Sequence, residues 1–275
     1  MNEINAVIEP KEQLKLFGYE KYFNFFVQLY ENKKLPSSIL LSGLKGSGKS
    51  TFAYHFINYI YSISEDNKYD LKNYTINKNN ISYRHINLNT HSNFYLIKNE
   101  STQKEIKIDQ SRNLIRFLNK TTYSKNIKIV MIDNVENLNI NASNALLKAI
   151  EEPPEGTFFF IIHDSSYKIL NTLKSRCMQF KISFTSEEKK NIFTDLSNLN
   201  NSDVEINNLA IFFNFDSPGN ILKYYYTLKD LNIDIFDVNI NMVTSLIDKY
   251  LNDKKKNYDT LNFISLFIEI FYRNL

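Results

Sequence analysis

The residues with the clearest chemical potential form the run Gly43-Leu44-Lys45-Gly46-Ser47-Gly48-Lys49-Ser50, which fits the phosphate-binding pattern G-x-x-x-x-G-K-[ST]. The glycines allow consecutive backbone N–H groups to point at phosphate oxygens, and Lys49 supplies positive charge for the β- and γ-phosphates. Ser50 is the expected Mg²⁺ ligand. The alternative is a chance glycine turn before a helix. The pattern predicts that ATP or ADP with Mg²⁺ binds through Gly43, Gly46, Ser47, Gly48, Lys49, Ser50 and Thr51.

A magnesium–nucleotide site also needs an acidic residue at the end of a neighbouring strand. Asp133 directly follows an apolar run at 127–132, so we predict that Asp133 and Ser50 together hold the metal. ATPases with this loop commonly have a Glu directly after that Asp, which orients the attacking water. Here the residue is Asn134, whose amide cannot act as a base, and Glu136 is expected to point elsewhere. The sequence therefore predicts nucleotide binding without fast hydrolysis.

Strands and helices alternate over the first two thirds of the chain, which predicts an α/β domain built on a parallel sheet. Apolar runs of the kind found in buried parallel strands lie at 39–41, 94–97, 127–132 and 157–162. Residues with helical apolar spacing lie between them, at 20–31, 51–61, 108–118 and 142–150. After residue 185 only helices are predicted, at 186–196, 206–213, 218–228, 236–250 and 260–273. The predicted domains are 1–183 for the P-loop domain, 184–229 for a helical lid and 230–275 for a short C-terminal helical segment.

The composition excludes several classes of protein. Of 275 residues, 43% are hydrophobic and 23% are charged, which is typical of a folded globular protein and not of a disordered one. The net charge of +3 is too small to indicate nucleic-acid binding by charge alone. A single Cys excludes a disulfide framework and a multi-cysteine zinc site. No signal peptide or bilayer-length apolar segment is evident, so we expect a cytoplasmic protein without a membrane partner.

Several longer motifs occur in a fixed order over residues 15–228. They are Leu35-Pro36, the run 106–110 that opens a helix, Asn-Ala-Leu-Leu-Lys-Ala-Ile-Glu-Glu-Pro-Pro-Glu at 144–155, Leu-Asn-Thr-Leu-Lys-Ser-Arg-Cys at 170–177, and Ser-Pro-Gly at 217–219. The chain is identified by these motifs as similar to the AAA+ clamp-loader ATPases, and it most resembles their delta-prime branch in bacterial DNA polymerase III. The resemblance implies an AAA+ P-loop NTPase domain followed by a helical lid and a collar. The roughly 45 residues that follow residue 228 are fewer than such a collar usually has.

The resemblance also implies a function and partners. Clamp loaders are five-membered rings in which delta-prime joins tau/gamma and delta subunits, and they place a sliding clamp on primer–template DNA at the expense of ATP. In that family the arginine of Ser-Arg-Cys reaches the ATP of the neighbouring subunit, which implies that Arg176 is an arginine finger acting in trans. The alternative for Arg176 is a local ion pair with Glu151 or Glu152. Lys148 either faces DNA in the ring or belongs to a solvated helix face.

Departures from the family pattern indicate which subunit the chain resembles. Asp164 stands where the hydrolysing subunits have a polar Thr or Asn sensor, and Gly219 stands where their lid carries an Arg. Together with Asn134, these changes favour a stator that lends its arginine without turning over ATP. Two alternatives remain open: a catalytically active tau/gamma-type ATPase and an unrelated P-loop kinase. The family's four-cysteine zinc module would fall at 62–94, where His85 and His91 but no Cys occur, so no zinc site is predicted.

Overall fold

A computed structural model describes residues 8–99, 105–106, 108–120, 127–200, 216–230, 240–252 and 258–273. The described residues form two compact units, one of residues 8–185 and one of the residues from 186 onward. The first unit holds the sheet and the phosphate-binding loop, and the second unit is helical.

The first unit alternates helices with strands, as the sequence predicts. Its helices are α1 (Glu20–Glu31), α2 (Lys49–Ser62), α3 (Ile81–Asn87), α4 (Ile108–Asn119), α5 (Ile140–Glu151) and the short α6 (Asn171–Lys174). Its strands are β1 (Ser38–Gly43), β2 (Phe94–Ile97), β3 (Lys128–Ile132), β4 (Thr157–Asp164) and β5 (Met178–Lys181). A 3₁₀ turn, Val135–Asn137, links β3 to α5.

The five strands form one sheet in the order β2-β3-β4-β1-β5, and every pairing is parallel. The predicted α/β fold with a parallel sheet is confirmed. Strands β1 and β3 are buried along their whole length, because helices cover both faces of a parallel sheet. The carboxyl ends of β1, β3 and β4 meet at one edge, where Gly43 pairs in register with Asp164 and Asp133 follows β3.

Aromatic side chains fill the layer between the sheet, α1 and α2. Phe26 of α1 lies 5.1 Å from Phe52 and 5.4 Å from Phe56, ring centroid to centroid, in edge-to-face contacts. Such contacts are favourable because the positive edge of one ring meets the negative face of the other. The opposite face of the sheet buries aliphatic residues, including Leu114 of α4 and Leu146 of α5. This packing fixes the start of α2, and with it the loop that precedes the helix.

The second unit comprises α7 (Ser186–Asn200), α8 (Pro218–Asp230), α9 (Ile240–Asn252) and α10 (Tyr258–Arg273). The four helices share one apolar cluster, whose buried members are Phe193, Ile221, Tyr225, Leu228, Val243, Leu246, Ile264 and Phe267. The division between lid and C-terminal segment at residue 229 stays a prediction, and the predicted helix 206–213 lies outside the described residues. In the described part of the chain, no helix is both long and apolar enough to cross a membrane.

Some elements of the first unit have no clear signal in the sequence. The polar stretch after α2 predicts no helix before residue 94, yet α3 forms there. Its N-cap is Asn80, whose side chain accepts a hydrogen bond from the backbone N–H of Tyr83 at 2.6 Å. The side chain of Glu65 accepts a further hydrogen bond, at 2.8 Å, from the backbone N–H of Ile81, which lies 16 residues later in the chain. Strand β5 is only four residues long, and its partly exposed side chains lack the apolar run of a central strand.

Candidate nucleotide-binding site

The loop between β1 and α2 requires glycine at specific positions. Gly46 and Gly48 have φ angles of +78° and +88°, a region that residues with a Cβ rarely adopt. A Cβ on Gly48 would also lie 3.3 Å from Cε2 of Tyr19. A Cβ on Gly43 would collide with the carbonyl oxygen of Ile182, in the segment that follows β5. The glycines of the motif therefore allow both the turn of the loop and its close packing.

The Lys49 side chain lies inside the loop. It is only 5% exposed, and its Nζ donates hydrogen bonds to the carbonyl oxygens of Gly43 at 2.8 Å and Leu44 at 2.6 Å. Burial lowers the pKa of the Lys49 amino group from 10.5 to about 8, although nearby carboxylates oppose this shift. The amino group is thus held at the place where the loop would receive phosphate.

Ser50 and Asp133 are brought together as the sequence predicts. Ser50 Oγ donates a 2.8 Å hydrogen bond to Oδ1 of Asp133, across the edge of the sheet. Burial raises the pKa of the Asp133 carboxyl, while the hydrogen bond from Ser50 and the charge of Lys49 act in the opposite direction. A hydroxyl next to a carboxylate is a suitable donor set for Mg²⁺, which prefers oxygen ligands. Thr51 directly follows Ser50 in the first turn of α2.

The expectation that Glu136 does not orient the attacking water stays a prediction. Its carboxylate lies at the same edge of the sheet as the loop. Asn134 adopts φ +57° and ψ +62°, which turns the chain sharply after β3 into the 3₁₀ segment. Glu136 Oε2 consequently accepts a 3.2 Å hydrogen bond from the backbone N–H of Asp164, at the end of β4. The charges of Asp164 and Glu136 both act on Lys49 and raise its pKa against the effect of burial. Asp133, Glu136 and Asp164 therefore form the acidic side of the site.

Tyr19 is a supporting residue that the sequence does not reveal. Its side chain is 2% exposed and stacks on Phe52 of α2 at a centroid distance of 5.0 Å. Its hydroxyl donates a 2.9 Å hydrogen bond to the carbonyl oxygen of Ser47, in the middle of the loop. Ser47 itself is 7% exposed. A tyrosine 28 residues before its partner carries no local signal, because only the packing of α1 on α2 brings the two together.

Arg176 lies at the surface, outside the loop. Its Nε donates a 2.8 Å hydrogen bond to Oε2 of Glu151, and its Nη1 donates to the carbonyl oxygen of Thr172 at 2.9 Å. The ion pair with Glu151 is therefore present, and the Arg176 side chain is still 30% exposed. The neighbouring Cys177 is half-buried, which raises the pKa of its thiol to about 11. Lys148 of α5 is exposed.

The segment between α2 and β2 is held by hydrogen bonds. Asn58 Nδ2 donates to Oδ1 of Asn80 at 2.9 Å, and the Asn80 amide donates in turn to the carbonyl oxygen of Asn67. His91 stacks on Tyr61 with their centroids 4.2 Å apart. Within the described ranges, no group of three or more His, Cys, Asp or Glu side chains is placed to hold a metal ion. These side-chain bonds occupy the part of the chain where the resemblance would put a zinc module.

Comparisons with known proteins identify a family. The family model described as "DNA polymerase III, delta subunit" matches residues 18–186, more than half of the chain. DNA polymerase III subunit delta' of Buchnera aphidicola subsp. Schizaphis graminum is 28% identical over 226 residues, 82% of this chain and 64% of that protein. The corresponding subunit of Pseudomonas aeruginosa is 38% identical over 90 residues, 33% of this chain and 27% of that protein.

A gamma subunit is also similar. DNA polymerase III subunit gamma of the same Buchnera is 31% identical over 139 residues, 47% of this chain and 37% of that protein. The chain thus spans less than two thirds of the length of each of these three relatives. The matched range 18–186 contains the phosphate-binding loop, Asp133 and Arg176.

Proposed function

The chain belongs to the family described as DNA polymerase III, delta subunit, and from this premise we propose that it is a delta-prime-type subunit of the clamp loader. In this role it helps the ATP-dependent loading of the sliding clamp onto primed DNA during replication. The observation that carries the proposal is the family match over residues 18–186, which includes Arg176 as well as the loop. The partly exposed guanidinium of Arg176 supports a role outside its own subunit.

The proposed contribution of Arg176 is electrostatic. Negative charge accumulates on the transferred phosphoryl group as ATP is hydrolysed, and a guanidinium supplied by a neighbouring protein stabilises that charge. Arg suits this task because it stays protonated and presents planar N–H groups to phosphate oxygens. In this proposal Arg176 acts on the nucleotide of a tau/gamma-type neighbour and the chain itself is a stator.

The loop of this chain is suited to hold its own nucleotide. Lys49 already directs its Nζ at two loop carbonyls, which phosphate oxygens would replace as acceptors. Ser50 and Asp133 offer oxygens to Mg²⁺, and α2 begins at the loop with its unpaired N–H groups. We propose that ATP or ADP with Mg²⁺ binds here through its phosphate groups.

Hydrolysis by the chain itself is expected to be slow. Asn134 cannot accept a proton from water, and Glu136 does not stand directly after Asp133 but two residues further on, where its Oε2 is bonded to the backbone N–H of Asp164. Gly219, in the first turn of α8, has no side chain that could contact a phosphate. These three features favour a nucleotide site that serves structure more than turnover.

The proposed partners are tau/gamma and delta subunits in a hetero-pentamer, the sliding clamp, and primer–template DNA held by the assembly. We expect the assembly to act in the cytoplasm, where no membrane partner is needed. The second candidate, an active tau/gamma-type ATPase, is favoured by the gamma-subunit match and by the intact Ser50–Asp133 pair. Asn134 argues against it. The family match argues against the P-loop kinase.

Reconstitution of the clamp loader tests the proposal. The purified chain is mixed with its cognate gamma-type and delta subunits, and ATP turnover is measured with clamp and primed DNA. We expect little turnover by the chain alone and strong turnover by the mixture. Arg176→Ala should remove most of the mixture's activity while the complex still assembles. Fast turnover by the isolated chain would instead support the gamma-type candidate, and phosphorylation of a small metabolite would support the kinase.

A further inference from the structure

We infer that Glu151 is a positioning residue for Arg176, which it orients so that the outer N–H groups of the guanidinium face a neighbouring subunit. This inference rests on the proposed function of Arg176 in trans. It assigns a role to the last residue of α5, which does not itself contact the loop in the described structure.

The first support is the way in which the guanidinium is held. Glu151 engages Nε, and the carbonyl oxygen of Thr172 engages one N–H of Nη1. Arg has five N–H donors, so three of them make no hydrogen bond to a described residue. Those three belong to Nη1 and Nη2, at the tip of the side chain. The tip is thus the part of Arg176 that remains available to a phosphate.

The second support is that the two anchors come from different elements that are themselves fixed. Glu151 ends α5, which Pro153 and Pro154 prevent from continuing. Thr172 belongs to α6, whose Leu173 is 1% exposed and anchors it in the core. The two helices are in contact. Arg176 therefore has a carboxylate on one side and a carbonyl on the other, both held by the fold.

The third support is energetic. The side chains of Arg176 and Glu151 are 30% and 53% exposed, and ion pairs with this degree of exposure contribute little to folding stability. An arginine side chain has many rotamers, and two hydrogen bonds select one of them before a partner arrives. Ordering that is already present in the free subunit does not have to occur on assembly or during the reaction. The pair is therefore better suited to orient the guanidinium than to stabilise the fold.

The same geometry indicates that Glu151 orients Arg176 and does not keep it away from a partner. A guanidinium can bind phosphate in bidentate fashion along its Nη1–Nη2 edge as well as along its Nε–Nη2 edge, and a carboxylate that kept Arg176 away from a neighbour would cover both. Glu151 instead occupies Nε, on the side of the guanidinium away from the tip. Removing Glu151 should therefore weaken the effect of Arg176 on a partner's ATP turnover and should not strengthen it.

The experiment uses the reconstituted complex of the full chain with its gamma-type and delta subunits. Glu151→Gln removes the charge but keeps an acceptor, and Glu151→Ala removes both. We expect kcat for ATP to fall about twofold and about three- to fivefold, respectively, as for loss of an exposed ion pair. KM and complex assembly, measured by sedimentation, should not change. Binding of MgADP–aluminium fluoride, which mimics the transferred phosphoryl, should weaken by the same factors while binding of MgADP stays the same.

Two controls separate positioning from a structural role. Glu152→Gln removes the same charge from the next residue, which is exposed, and should leave kcat unchanged. In an Arg176→Ala background, Glu151→Gln should have no additional effect, because Glu151 acts only through Arg176.

The outcomes that overturn the inference are distinct from those that overturn the proposed function. If Arg176→Ala abolishes turnover while both Glu151 variants match the wild type, the positioning role is wrong and the function of Arg176 stands. Higher turnover of the Glu151 variants would also contradict positioning, since it indicates that Glu151 withholds the arginine. If Arg176→Ala itself has no effect on an assembled complex, both the proposed function and this inference fail.

Discussion

Ser50 Oγ and Asp133 Oδ1 lie 2.8 Å apart, although 83 residues separate them in the sequence. The hydrogen bond joins the first turn of α2, which follows β1, to the end of β3, and β4 lies between β1 and β3 in the sheet. The bond thus holds two oxygen donors suited to Mg²⁺ next to each other in the free chain.

Asp133→Asn should weaken Mg²⁺-dependent nucleotide binding by roughly 10- to 100-fold, the usual effect of losing a group that orients or assists a metal ligand. The amide keeps a hydrogen-bond partner for Ser50 but loses the negative charge. Calorimetric titration with ATP, with and without Mg²⁺, measures the effect. Affinity in EDTA should be equal in variant and wild type; an equal loss in both conditions would mean that Asp133 supports the loop and not the metal.

Nucleotide affinity should fall as the pH rises above about 8. The free chain holds the pKa of Lys49 at about 8, so above that pH the amino group loses the charge that attracts phosphate. Well above pH 8, the nucleotide affinity should fall by at most about tenfold for each further pH unit. Binding titrations between pH 7 and 9.5 measure it. Lys49→Arg, whose guanidinium stays charged, should bind more weakly at pH 7 but with a flatter profile.

Lys49 should also make folding stability depend on pH in the nucleotide-free chain. Its pKa is 10.5 ordinarily and about 8 when folded, so between these values the unfolded chain holds a proton that the folded chain has lost. Stability linked to this residue therefore rises with pH across that window. Urea unfolding at pH 8 and pH 10 measures the rise. In Lys49→Met, the free energy of unfolding should differ less between the two pH values than in the wild type. An unchanged difference would show that Lys49 does not cause the pH dependence.

Tyr19→Phe should destabilise the first unit by about 1–3 kcal/mol, because the buried carbonyl oxygen of Ser47 loses its donor. Tyr22→Phe is the matched control. The Tyr22 hydroxyl makes exposed contacts of 3.5 Å to the carbonyl oxygens of Lys181 and Ser183, too long to contribute much. Thermal unfolding of both variants tests this. Equal melting temperatures for the two variants would show that the bond to the loop has no special weight.

Gly48→Ala and Gly156→Ala should separate backbone strain from steric contact. Both glycines have positive φ, +88° and +71°, so each substitution should cost about 1–2 kcal/mol in strain. A Cβ on Gly156 meets nothing within 4 Å, whereas one on Gly48 presses on Tyr19 at 3.3 Å. Gly48→Ala should therefore lower the melting temperature further, and it alone should weaken nucleotide binding. Weaker binding in Gly156→Ala would contradict this account.

The sequence alone determined the local elements and the chemistry of the loop. Helix α1 and strand β2 have the predicted bounds, because helical and extended apolar patterns are set by neighbouring residues. The glycine-rich motif is likewise contiguous, so its residue types and spacing predict its place between β1 and α2. The family motifs, being linear strings, could also be recognised without coordinates.

The sequence predicted the meeting of Ser50 and Asp133, but tertiary structure alone decided several other contacts between distant groups. The contact of Tyr19 with the loop, the turn that brings Glu136 to Asp164, and the capping of α3 by Glu65 each depend on packing between separate elements. The sequence left two roles open for Arg176 and two possible ion-pair partners, and the fold selected Glu151 over Glu152 and added the carbonyl of Thr172. The Thr172 bond spans only four residues, but the other bonds join residues 16 to 28 positions apart, so no local periodicity encodes them.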